Sequence, residues 1–100
     1  MNKVLLQFWE ESERGWGVRP DGASLHINVE SYRKYLNNIY DSRRDIQDVP
    51  NEYDRVVGSV IETVVSDDIY NMLLSEKNIR LPQYQLNNLI KLKDIIVDAS

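Results

Sequence analysis

The side chains that could do chemistry crowd into residues 14–26: Arg14, Trp16, Arg19, Asp21, Ser24 and His26. The surrounding run, Glu13-Arg14-Gly15-Trp16-Gly17-Val18-Arg19-Pro20-Asp21-Gly22-Ala23-Ser24-Leu25-His26, carries three of the four glycines and the only histidine. Two chemistries suit these residue types. One is hydrolytic, with Ser24 as nucleophile, His26 as base and Asp21 as orienting carboxylate. A triad needs the nucleophile held against the base and the base held by a third group. Side chains two apart on a strand point the same way but sit side by side, and no nucleophile elbow surrounds Ser24. A half-exposed histidine in a sheet is the better reading, and no catalytic residue is expected.

The other chemistry is binding. Trp16 offers a flat face for a base, and Arg14 and Arg19 are planar donors suited to phosphate oxygens. The glycines flanking Trp16 let a backbone approach a ligand closely. Tyr32, Tyr35 and Tyr40 follow on the next element and could form the opposite wall. The candidate ligand-binding set is therefore Arg14, Trp16, Arg19, His26 and Tyr32, for a small nucleotide-like anion. The same residues also suit a protein-contact surface. They further suit pure architecture, with Trp16 in the core, Arg14 paired to Glu10 or Glu13, and the glycines in bulges. With one histidine and no cysteine, no metal site is expected. Gly15-Trp16-Gly17 lacks the third glycine and the strand-to-helix setting of a dinucleotide loop, so no cofactor is expected either.

Elements must hold these residues in place. Val4-Leu5-Leu6-Gln7-Phe8-Trp9 reads as a strand, with Val4, Leu6 and Phe8 on one face and Leu5, Gln7 and Trp9 on the other. Both faces are largely apolar, which predicts cover on both sides. Residues 16–19 give a second strand. Pro20-Asp21-Gly22 carries turn chemistry, with Gly22 able to take positive φ as a bulge. Residues 23–27 give a third strand, Ala23, Leu25 and Ile27 opposite Ser24 and His26, completing a three-stranded meander. Asn28 is a candidate N-cap, and Val29, Tyr32, Leu36 and Ile39 fall at helical spacing, so residues 29–42 read as a helix. Residues 41–54 read as a charged loop containing Pro50, and Val60 to Val65 as a β-branched strand. Ser66 caps a second helix with Asp67 and Asp68 in its first turn, and Asn78 ends it near Ile79. Residues 82–100 fit a C-terminal helix used for packing or oligomerisation, with Leu86, Leu89, Ile90 and Val97 on one face. Leu89 to Val97 also reads as a strand. The fold class expected is α+β: a mostly antiparallel sheet of about four strands with two or three helices.

At 100 residues the chain forms one domain, 1–100. Hydrophobic residues are 42% and charged residues 28%, a globular balance. The net charge of −4 and the scattered Lys and Arg disfavour a nucleic-acid partner. No stretch approaches the ~20 apolar residues of a membrane span, and Val4-Leu5-Leu6 is too short for a signal core. A soluble cytoplasmic protein is expected, with no membrane partner. Leu5 and Trp9 on the second face of the first strand, and the Leu86, Leu89, Ile90 stripe, offer surfaces for a homo-oligomer. The alternative is that the C-terminal segment folds back over the sheet within one chain.

The run from Trp9-Glu10 through Glu13-Arg14-Gly15-Trp16-Gly17, Arg19-Pro20-Asp21-Gly22 and Ser24-Leu25-His26 resembles a small family of uncharacterised proteins from phages and bacterial mobile elements. Tyr40, Val49-Pro50, Glu52-Tyr53, Val65-Ser66-Asp67, Tyr70 and Arg80-Leu81 follow in the same order. The resemblance covers residues 7–81; the last nineteen residues depart from it. It implies no activity and no site residues. It implies a setting, since small phage-borne proteins of this size are often accessory factors that interfere with host defence. The expected role is a non-enzymatic counter-defence protein, in the host cytoplasm, that sequesters a small nucleotide-derived signalling molecule. The alternative is a protein–protein inhibitor that directly blocks a host defence enzyme, in the manner of an anti-CRISPR.

Overall fold

The computed structural model describes residues 2–13, 17–44, 52–83 and 96–97. Strands β1 (Lys3–Glu13) and β2 (Gly17–His26) lead to helix α1 (Val29–Arg44). Then come β3 (Glu52–Val65), α2 (Asp67–Glu76), β4 (Asn78–Leu81) and the two-residue β5 (Ile96–Val97). The strands form one sheet in the order β4-β2-β1-β3-β5, and every neighbouring pair is antiparallel. The α+β class and the antiparallel sheet are those expected from the sequence.

The meander is replaced by one long hairpin. Pro20-Asp21-Gly22 does not reverse the chain but lies inside β2. Phe8 pairs with Ala23 and Glu10 with Pro20, so Asp21 and Gly22 together stand opposite Trp9. This is a β-bulge, and Gly22 sits in it at φ +84°, a region glycine enters without steric cost. The extra residue changes the parity of β2. Val18 and Pro20 therefore share a face with Ala23, Leu25 and Ile27, while Ser24 and His26 point to the other side, as their alternation predicts.

A second bulge extends β3. Leu6 pairs with Ile61 and Phe8 with Val57, which leaves Gly58, Ser59 and Val60 opposite Gln7. Gly58 takes φ +67° there. Gly58-Ser59 thus bends a strand that runs from Glu52 instead of interrupting one that starts at Val60. The charged segment 41–54 is shorter than expected, since α1 reaches Arg44 and β3 begins at Glu52.

Both helices start where their caps predict. The Asn28 Oδ1 accepts the Ser31 N–H at 2.8 Å, and the Ser66 Oγ accepts the Ile69 N–H at 3.4 Å. Asp67 and Asp68 place their carboxylates at the positive end of α2. Helix α2 ends at Glu76, closed by Lys77 at φ +71°, whose N–H donates to the Leu73 carbonyl at 2.8 Å. Asn78 therefore opens β4 and is not the helix terminator. The reading of residues 82–100 as a helix fails at Ile96-Val97, which pairs with Val65-Val64; residues 84–95 lie outside the described residues.

The sheet is covered on both faces. On one, Val4, Leu6, Ala23, Leu25, Val65 and Leu81 pack with Leu73 of α2, and Ile27, Ile69, Tyr70 and Ile79 close the margins. Each fully buried aliphatic side chain here contributes about 1.5–3 kcal/mol relative to exposure. On the other face α1 covers Trp9, whose indole meets the Tyr35 ring edge-on at 5.9 Å. Trp9 is thus covered within the chain, while Leu5 is half-buried. Phe8 and Val57, each 40% exposed, leave apolar surface open at the far end of the first face, and Val29, Ile61, Met72 and Leu74 are exposed elsewhere.

Candidate functional site

Under α1 the sheet carries a connected polar network. Trp9 Nε1 donates to the Ser24 Oγ at 2.8 Å, and that oxygen lies 2.7 Å from His26 Nε2. The other ring nitrogen, Nδ1, is 2.6 Å from the Asn78 amide. Tyr32 and Tyr35 flank the imidazole, with ring centroids at 4.9 and 5.1 Å. The Tyr32 hydroxyl donates to Gln7 Oε1 at 2.7 Å. Gln7 Nε2 in turn donates to the Phe8 and Val57 carbonyls at 3.0 Å and the Gly58 carbonyl at 3.3 Å. Gln7 therefore ties β1 to the β3 bulge through backbone carbonyls. Among the described residues no buried side-chain polar atom lacks a partner.

Ser24, His26 and Asn78 form a serine–histidine–amide series, but its geometry opposes catalysis. Ser24 and His26 are both 0% exposed, so no substrate carbonyl reaches the hydroxyl. With its nitrogen inward, the Asn78 amide also meets the Ser31 carbonyl at 3.2 Å and the Lys77 carbonyl at 3.3 Å. That orientation makes Asn78 the donor to Nδ1 and places the ring proton on Nε2. His26 then donates to Ser24 and does not take its proton. Burial lowers the His26 pKa from 6.5 and favours the neutral ring. The half-exposed histidine expected from the sequence is instead a fully buried one. Asp21, the third member considered, is held by Arg80 at 3.2 Å.

Of the five candidate ligand-binding residues, the structure brings two together, His26 and Tyr32. Arg19 lies seven residues along β2 from His26, about 20 Å away at ~3.3 Å per strand residue. Its guanidinium binds Glu11 Oε2 through Nε at 3.2 Å and Nη2 at 2.9 Å. Arg14 and Trp16 lie outside the described residues, as does the Tyr40 side chain. Sequence reasoning missed Gln7, Asn78 and Arg80. Arg80 donates to the Asp21 carbonyl at 2.7 Å and stacks over the Trp9 ring at 4.7 Å, fixing the bulge from the β4 side.

The opposite face carries an open groove of about 380 Å³ where α2 does not reach. Phe8, Val18, Pro20 and Val57 supply its apolar surface, and Gly22 and Gln83 close one end. Gln83 Oε1 accepts the Gly22 N–H at 2.8 Å. Glu10 and Arg19 also line it. Both are paired within the chain, Glu10 to Arg55 and Arg19 to Glu11. Among the described residues no group of three or more metal-ligating side chains occurs. No helix among them is long and apolar enough to cross a membrane. No family model, curated protein or solved structure significantly matches the chain.

Proposed function

We propose that this chain is a non-enzymatic accessory protein of phage type that blocks a host defence protein by direct contact. The contact surface is the groove at Phe8, Val18, Pro20 and Val57. One observation carries this reading: the groove exposes Phe8, Val18 and Val57, while the charged residues lining it are already paired inside the chain. Exposed apolar side chains beside charges that are already paired suit contact with another protein. A phosphate ligand would have to displace Glu11 from Arg19 before gaining its charge. The counter-defence role comes from the phage resemblance of the motif between Trp9 and His26, and the host cytoplasm is the compartment that role requires.

Sequestration of a nucleotide-derived signal is the second reading. It is favoured by the Arg19 guanidinium on the wall of a groove whose volume suits a small ligand. A homo-oligomer would use the same apolar face. Calorimetry against cyclic dinucleotides and cyclic ADP-ribose isomers, with light scattering of the free protein, separates the three. The contact reading expects no heat and a monomer. Heat that Arg19→Ala abolishes would establish the small ligand, and a concentration-independent dimer would establish self-association.

A further inference from the structure

Among the described residues the buried polar side chains are Gln7, Ser24 and His26, and only His26 titrates near neutral pH. Four elements meet at its ring. β2 supplies the histidine and Ser24, and β1 reaches it through the Trp9 indole. α1 supplies Tyr32 and Tyr35, and β4 supplies Asn78. Among the described residues His26 makes no ion pair that could serve an imidazolium. On α1, Glu30, Arg33 and Lys34 are exposed, and Lys77 before β4 is exposed as well. Arg80 of β4 lies over Trp9 and engages the Asp21 carboxylate.

We propose that His26 is an acid-release latch: protonation of its Nδ1 breaks the Asn78 bridge and frees β4 and the start of α1 while β1, β2 and β3 stay paired. The reason is a conflict of donors. Neutral His26 accepts at Nδ1, and the Asn78 amide nitrogen serves Nδ1, the Ser31 carbonyl and the Lys77 carbonyl together. A solvent proton on Nδ1 turns that site into a donor facing a donor. The amide must then rotate its oxygen inward, which sets that oxygen against the Ser31 and Lys77 carbonyls. The lost contacts are those that tie α1 to β4. β4 is the most vulnerable strand described in full, since its four residues pair on the sheet side with β2 alone. β1 has pairing neighbours on both sides.

The sign follows from linkage. The folded-state pKa lies below 6.5 because burial disfavours the charged ring. The unfolded or released state therefore binds more protons as the pH falls below that value. The latch is closed above it and opens progressively as the pH drops toward the folded-state pKa.

Hydrogen exchange of the full chain, followed by mass spectrometry between about pH 7.5 and 5 and corrected for intrinsic rates, tests the latch over the histidine range. Protection in peptides covering 29–36 and 77–81 is expected to fall by up to about tenfold per pH unit, while peptides covering 3–8 and 61–65 keep theirs. His26→Gln is expected to abolish this local pH dependence. The slope is informative even where the substitution lowers overall stability. Equal loss of protection across all peptides, no loss in this range, or an unchanged local slope in His26→Gln would overturn the proposal.

Discussion

The Leu81 carbonyl occupies the space that a Cβ on Gly22 would fill. The β2 bulge and the end of β4 are therefore built against each other, and the contact holds only while residue 22 has no side chain. Gly22→Ala meets two penalties, positive φ and a backbone clash that no rotamer relieves. We expect it to cost more than about 3 kcal/mol, as large losses follow from special backbone geometry combined with overpacking. Gly17→Ala is the control, since φ is +83° there but nothing lies within 4 Å of the added carbon. Its cost should be about 1 kcal/mol, the lower end for backbone strain. Thermal melts of the two variants should differ by on the order of 10 °C for a domain of this size.

Lys77 offers the opposite change. It closes α2 at φ +71° without being glycine, a position where a Cβ is strained. Lys77→Gly should stabilise the protein by about 1 kcal/mol, with the melting temperature rising by roughly 4–8 °C. A fall in melting temperature would mean that the Lys77 side chain contributes packing that outweighs the strain.

Gln7 is buried because the β3 bulge needs it. Gln7→Leu keeps a similar volume but removes the hydrogen bonds to the Val57 and Gly58 carbonyls and from the Tyr32 hydroxyl. Each lost hydrogen bond costs about 0.5–1.5 kcal/mol, so the urea midpoint should fall with little change in slope. Tyr32→Phe removes the donor to Gln7 Oε1 and should cost about 1–2 kcal/mol. A Gln7→Leu variant as stable as the parent would show that water can take over the bulge.

What the sequence made legible was local. Alternation placed Ala23, Leu25 and Ile27 opposite Ser24 and His26, and the short polar side chains of Asn28 and Ser66 marked both helix starts. Positive φ at Gly22 was legible as well, but the sense of the bend was not. Pro20-Asp21-Gly22 has the composition of a reverse turn, and only its pairing with Glu10 and Phe8 across the sheet makes it a bulge. The site was misjudged for a related reason. Ser24 and His26 are neighbours in any strand, yet their burial depends on α1 covering that face and on Asn78 arriving from fifty-two positions away. Gln7 did carry a signal: a polar side chain on a largely apolar strand, in a chain whose Gly58-Ser59 interrupts the β-branched run Val56–Val65.

His26 also sets a limit on catalysis. Because Ser24 accepts from Trp9 and lies beneath α1, Ser24→Ala should change stability and no hydrolytic rate. The substitution leaves the Trp9 N–H unpaired, a loss of about 1–3 kcal/mol. Ester hydrolysis by the parent protein that disappears in a folded Ser24→Ala variant would contradict the structural role.

The most direct test of the contact surface is plating of a defence-sensitive phage on a defended host that expresses this chain. The parent protein should restore plating. Val18→Glu and Val57→Glu place charge at exposed positions of the groove, where surface substitutions change stability by only about 0.5 kcal/mol. Both variants should melt near the parent temperature and lose the restoration. Restoration that survives both substitutions, in proteins shown to be folded, would contradict the account.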